Sequence, residues 1–219
     1  MSPAHASRLD PGRPVVQQLR ERMAALEGRP TGETVPTLPG LADVLPLHSG
    51  ATYAVDSASL ALAVAAGASR AGAWIGFAGC PDFGAEAAAE LGIELSRTVL
   101  VPDPGEHWLE VTAALVDVLR VVVLRPPATV SERSAAVLDS RLRNRSAVLV
   151  VQGAWPRVEA RLSTDGSVWS GPTAGTGQLE QRRARLAVRR GPRLPQRVDL
   201  SWPGVHRVDR EHDVRRAIG

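Results

Sequence analysis

Serine and aspartate crowd the segment Ala54–Leu62 (AVDSASLAL), and lysine occurs nowhere in the 219 residues. A loop that cradles phosphates needs three things. Glycines let backbone N–H groups approach the anion, a lysine reaches the β and γ phosphates, and a Ser or Thr hydroxyl holds magnesium. This segment contains no glycine, and Leu60 or Ala61 stands where the lysine belongs. Asp56 sets a negative charge against any phosphate, leaving Ser57 and Ser59 as the hydroxyls of a degenerate nucleotide loop. A magnesium-binding acid would be needed after the apolar run Val121–Leu124. Arg125 and Pro126 follow it instead. With two separate parts of the apparatus missing, ATP hydrolysis is not expected, and no cofactor is implied.

Other constellations are weaker. The histidines His5, His48, His107, His206 and His212 share no metal-ligand spacing with one another or with Cys80. His48, Asp56 and either Ser57 or Ser59 fit no nucleophile elbow, and a serine here more simply caps a helix. Cys80, in GFAGCPDFG, has no basic neighbour in sequence to lower its pKa, so a structural thiol is expected. A lone cysteine allows no intrachain disulfide and agrees with a reducing cytoplasm. The first residues show no secretory signal, and no apolar stretch is long enough to span a bilayer.

Arginine carries the remaining chemistry. All 26 basic residues are arginine, which raises the pI to about 10.2 at a formal charge of only +3. From Glu180 onward eleven arginines face five acids, a net of +6, so the preceding residues carry −3. Within that region RRARLAVRR alternates as a strand does. Arg183, Arg185 and Arg189 fall on one face, followed by Arg190, with Ala184, Leu186 and Val188 on the other. Such a row can hold phosphates or an acidic protein surface, or can simply protect a sheet edge. The segment Trp155–Gly177 reads as a glycine-rich loop whose Trp155 and Trp169 either stack on bases or anchor the loop to the core.

The elements that must position these residues follow from periodicity. Val15, Leu19, Met23 and Leu26 recur at helical spacing in Val15–Leu26, an amphipathic helix with a face for a partner or for its own domain. A Pro/Gly-rich linker, Arg29 to Gly40, sets it apart. Residues 1–30 thus read as an N-terminal extension, 31–204 as a core and 205–219 as a charged tail. The core alternates strands (51–55, 73–78, 98–101, 121–124, 147–151) with helices (57–69, 85–91, 106–119, 131–145). On the third helix Trp108, Val111, Leu115 and Val118 share a face; on the fourth, Ala135, Leu138 and Leu142 point inward. Four βα units in succession predict a mostly parallel twisted sheet flanked by helices. Strands at 157–162, 183–188 and 197–201 are expected to add antiparallel pairs at the C-terminal side.

The stretch from Leu38 to Arg190 resembles the core of the RecA recombinase family. Ala89–Ile93 (AELGI) and Pro102–Glu106 (PDPGE) are similar to that family's short helix after the second strand and to the turn opening the next helix. The resemblance implies a RecA-like α/β core and an N-terminal helix that packs on a neighbouring subunit, hence self-association through Val15–Leu26. It also implies a first DNA-binding loop collapsed to RPPATV and a second at about Trp155–Gly177. A lysine-free relative without a P-loop is similar to ImuA-type mutasome accessory proteins. These act in damage-induced mutagenesis beside an inactive Y-family polymerase homologue and an error-prone polymerase.

The function this implies is a non-catalytic adaptor in translesion synthesis, cytoplasmic and recruited to the nucleoid. Its expected partners are those two polymerases and RecA, with weak DNA contact through Arg183, Arg185, Arg189, Arg190 or Trp169. A SulA-type division inhibitor, binding the tubulin-like division protein, is the alternative within the same superfamily. An enzyme that binds nucleotide unconventionally, through Asp56 or Asp82, is the alternative from another class.

Overall fold

A computed structural model describes residues 32–170, 181–202 and 205–208. The helix read over Val15–Leu26 and the tail beyond Val208 lie outside these residues. The chain divides into two units, residues 1–31 and 32–219.

The second unit is built on the βα series. Its elements are β1 (Thr34–Val35), α1 (Pro39–Ala42), β2 (Leu47–His48), β3 (Thr52–Val55), α2 (Ala58–Arg70), β4 (Ile75–Ala78), α3 (Ala85–Glu90) and β5 (Thr98–Val101). There follow α4 (Trp108–Val118), β6 (Val121–Leu124), α5 (Glu132–Arg145), β7 (Val148–Gln152), β8 (Ala160–Ser170), β9 (Gln181–Arg189), β10 (Gln196–Trp202) and β11 (His206–Arg207). Strands β1 and β2 pair separately, and the rest form one nine-stranded sheet in the order β11-β10-β9-β8-β3-β7-β6-β4-β5. From β8 to β5 every pairing is parallel; β8-β9, β9-β10 and β10-β11 are antiparallel.

The valine-rich runs are strands because both of their faces are covered. Val121 and Val123 of β6 meet the layer of α1, α2 and α3, while Val122 and Leu124 meet α4 and α5. Each such side chain contributes about 1.5–3 kcal/mol by leaving water, which is why no alternation is visible in these segments. Helix α5 buries Ala135, Leu138 and Leu142 as its spacing predicts, and Ser131 caps it by accepting a bond from the Ser134 amide at 3.1 Å. Helix α4 departs from the prediction. Its buried side is Thr112, Ala113, Leu115 and Val116, and Val118 is 76% exposed. Trp108 and Val111 are half-buried against the same cluster and Leu115 is buried, so three of the four expected residues do face inward, but the face is centred on Thr112 and Val116 and leaves Val118 outside it.

The C-terminal third differs more. The first of its strands starts at Ala160 rather than Arg157, and pairs parallel to β3 through Tyr53–Val55 before turning antiparallel to β9. The crossover 153–159 is short because Gly153 adopts φ 122° and donates to the Val55 carbonyl, while Trp155, 5% exposed, is buried in the α5 layer. Within the expected glycine-rich loop, Ala160–Ser170 is therefore strand, while residues 171–177 lie outside the described residues. Beyond Leu162, β8 runs past the carboxyl end of β3 and forms an arm with β9, with a bulge between Thr164 and Gly166. The last strand, β11, falls within the segment read from composition as tail.

Candidate functional site

In an open α/β sheet the crevice beyond the carboxyl ends of the strands is where ligands bind. Here that crevice lies above β3, β4, β6 and β7, and it is bounded on one side by the β8-β9 arm. Asp56, Ser57 and Ser59 sit at the end of β3, where the chain turns into α2. Ser57 holds the N-cap position of α2, but its hydroxyl makes no capping bond and lies 3.4 Å from the Ser59 hydroxyl.

The arm closes on this loop. The Asp56 carboxylate accepts a 2.7 Å bond from the Thr164 amide of β8. Arg182 of β9 donates from Nη1 to Ser59 Oγ at 3.1 Å. Its guanidinium lies 5.7 Å from the Trp169 ring centre and 5.6 Å from that of Trp202, within cation–π range of both indoles. Register explains the sandwich: Trp169 and Trp202 are the cross-strand neighbours of Arg182 on either side. Arg182 Nε and Trp202 Nε1 are buried and find no hydrogen-bond partner among the described residues.

The neighbouring strand ends are tied in the same way. Arg125, at the end of β6, donates to Gln152 Oε1 of β7 at 3.1 Å and pairs with Asp82 beyond β4 at 2.7 Å. The bond from Arg125 holds the Asp82 carboxyl below its ordinary range. Burial pushes the Cys80 thiol up despite the charge of Arg125 close by, so the thiol stays protonated and donates to the Ala78 carbonyl. Gly79 (φ 71°) passes Arg125 so closely that a Cβ would sit 2.2 Å from its carbonyl oxygen. The pocket left among Ala58, Phe77, Asp82, Arg125 and Gln152 holds about 20 Å3, room for one water and not for a phosphate.

The arginine row is brought together only in part. Arg183, Arg185 and Arg189 share the outer face of β9, opposite the buried Ala184, Leu186 and Val188. Arg185 pairs with Asp199 at 2.8 Å, so its charge is partly neutralised. Arg190 is turned to another task, donating to the Val44 carbonyl at 2.8 Å. Trp169 lies on the inner face with Arg182, so it and the outer arginines form no common surface. Sequence reasoning missed Arg182. The signal was present, because Arg182 sits in phase with the apolar positions 184, 186 and 188, where a charge needs a partner. Among the described residues, no three His, Cys, Asp or Glu are grouped to hold a metal ion, and no helix is long and apolar enough to cross a membrane.

Fold and site together define a mixed α/β protein with a large, mostly parallel sheet flanked by helices, whose strand-end crevice is filled by its own side chains. Residues 40–157 match the MT3502 N-terminal domain, more than half of the chain, and the protein belongs to that family. The uncharacterized protein Rv3395c of Mycobacterium tuberculosis is 32% identical over 204 residues, 85% of this chain and 98% of that one. The family match spans α1 to the crossover before β8, and so includes Asp56, Asp82, Arg125 and Gln152 but not the arm.

Proposed function

We propose that this chain is a non-catalytic, RecA-like adaptor of the ImuA type, which supports error-prone translesion synthesis by binding protein partners. The observation that carries the reading is the closed strand-end crevice. Where a nucleotide-hydrolysing relative needs a lysine, glycines and a magnesium acid, this chain has Asp56 bonded to Thr164, Arg182 on Ser59 and Arg125 on Asp82. The βα series supports the RecA-like reading further. The AELGI segment closes α3 with Gly92 at φ 81°, and the PDPGE segment forms the turn between β5 and α4. A scaffold kept while its phosphate chemistry is replaced by internal struts is suited to holding partners. Those proposed are an inactive Y-family polymerase homologue, an error-prone polymerase and RecA, in the cytoplasm and at the nucleoid.

The test is genetic and biochemical together. Deleting the gene should lower damage-induced mutation frequency without changing spontaneous mutation, and affinity capture after damage should recover a polymerase-like protein. Filamentation on overexpression with mutation frequency unchanged would instead support the division-inhibitor reading and overturn this one.

A further inference from the structure

The helical layers do not cover the sheet equally. On one face, α1 and α2 reach across to Ala184, Leu186, Val188, Val198 and Leu200, so β8 to β10 are packed there as tightly as the centre. On the other face, α4 and α5 cover β4, β5, β6 and β7, and their cluster contains no residue of β9 or β10. The outer face of β8-β9-β10 is therefore left without a helix among the described residues.

Its composition follows from the register. The outward positions bring together five arginines, Arg161, Arg183, Arg185, Arg189 and Arg197, and two acids, Asp165 and Asp199. Arg197 pairs with Asp165 and Arg185 with Asp199, each at 2.8 Å, and these seven side chains together carry a net charge of +3. A groove of about 610 Å3 crosses it, lined by Asp165, Val168, Arg183, Arg185, Asp199 and Val208 among others. Val168 stands in this charged setting with 71% of its surface exposed.

We propose that this outer face docks an extended acidic segment of a partner protein, with an apolar side chain seated against Val168 and carboxylates against Arg161 and Arg189. The proposal rests on the adaptor reading and names the chemistry of one partner. Two features favour a peptide over a nucleic acid. No Trp, Tyr or Phe among the described residues points outward there to stack on a base. The exposed valine gains from an apolar group and nothing from a phosphate. Guanidinium groups are also suited to bidentate bonds with carboxylates.

A displayed library of random peptides of about twelve residues, selected on the full-length protein, tests this. Enriched sequences are expected to be acidic with an apolar residue near the centre. A synthetic version should bind about tenfold more weakly to Arg189→Glu and to Val168→Asp, both surface changes, while melting temperatures stay at the wild-type value. Labelled oligothymidylate should not compete. Enrichment of nothing, or of basic sequences, would overturn the proposal, and so would oligothymidylate binding that Arg189→Glu abolishes. Because the selection uses no cellular partner, its failure leaves the mutation-frequency result standing, and the two claims fail separately.

Discussion

At the head of the central strand, Asp56 carries a charge that repels phosphate and offers it to the Thr164 amide instead. A charged acceptor bonded to an amide is worth more than a neutral pair, but this one is exposed and partly screened by water. Asp56→Ala should therefore lower stability by about 1 kcal/mol, read by urea denaturation, and should speed amide exchange at Thr164 more than elsewhere. An unchanged Thr164 amide would mean that the arm is held by other contacts. Tyr53, the chain's single tyrosine, gives a second residue-scale test. Its hydroxyl is fully buried, donates to the Pro46 carbonyl and accepts from the His48 amide, and burial pushes its pKa well above the ordinary 10.0. The folded state thus favours the protonated phenol. The stabilisation is fully present below pH 10 and is lost as pH rises beyond it. Absorbance of tyrosinate should appear only together with unfolding, whereas a reversible titration near pH 10 in the folded protein would contradict the burial.

Between elements, close approach decides more than propensity. Helix α2 is alanine-rich and carries Gly67 in its third turn, a residue that helix propensity disfavours. The structure explains it: a Cβ at position 67 would lie 2.3 Å from the Thr37 Cα, where the segment before α1 crosses the helix. Gly67→Ala should cost about 2–3 kcal/mol rather than gain the usual helix-propensity increment, and a rise in melting temperature would show that the crossing can yield. This level also sets what could be read from sequence. The buried strands β4, β6 and β7, the edge strand β5 and helices α2 and α5 were legible because each is a short apolar run or a helical repeat with clear stops. The arm was not, because its direction depends on Gly153, the buried Trp155 and a bulge at Thr164/Gly166, none of which leaves a periodic mark. On α4 only Val118 was misplaced, because most positions of Trp108–Val118 are apolar and spacing alone does not choose between overlapping stripes.

For the molecule as a whole, the absent lysine has a spatial counterpart. Arg182 arrives from a strand more than a hundred residues away, lies between Trp169 and Trp202, and reaches the serine loop at the end of β3. The sequence shows that Ala54–Leu62 lacks glycine and lysine; only the fold shows what stands against it. The charge surplus toward the C-terminus resolves likewise into separate uses. Arg182 faces the crevice, Arg190 braces the Val44 carbonyl, and the rest of the row faces outward on the uncovered side of the sheet.

The central claim is that the strand-end crevice holds the protein's own side chains in place of a nucleotide. Titrating the full-length protein with MgATP by calorimetry measures this directly. The account predicts no saturable heat up to about millimolar ATP, an affinity weaker than about −4 kcal/mol, with both the wild type and Arg182→Ala. Saturable micromolar binding by the wild type, lost on Arg182→Ala, would mean that Arg182 acts as a phosphate ligand and would contradict it.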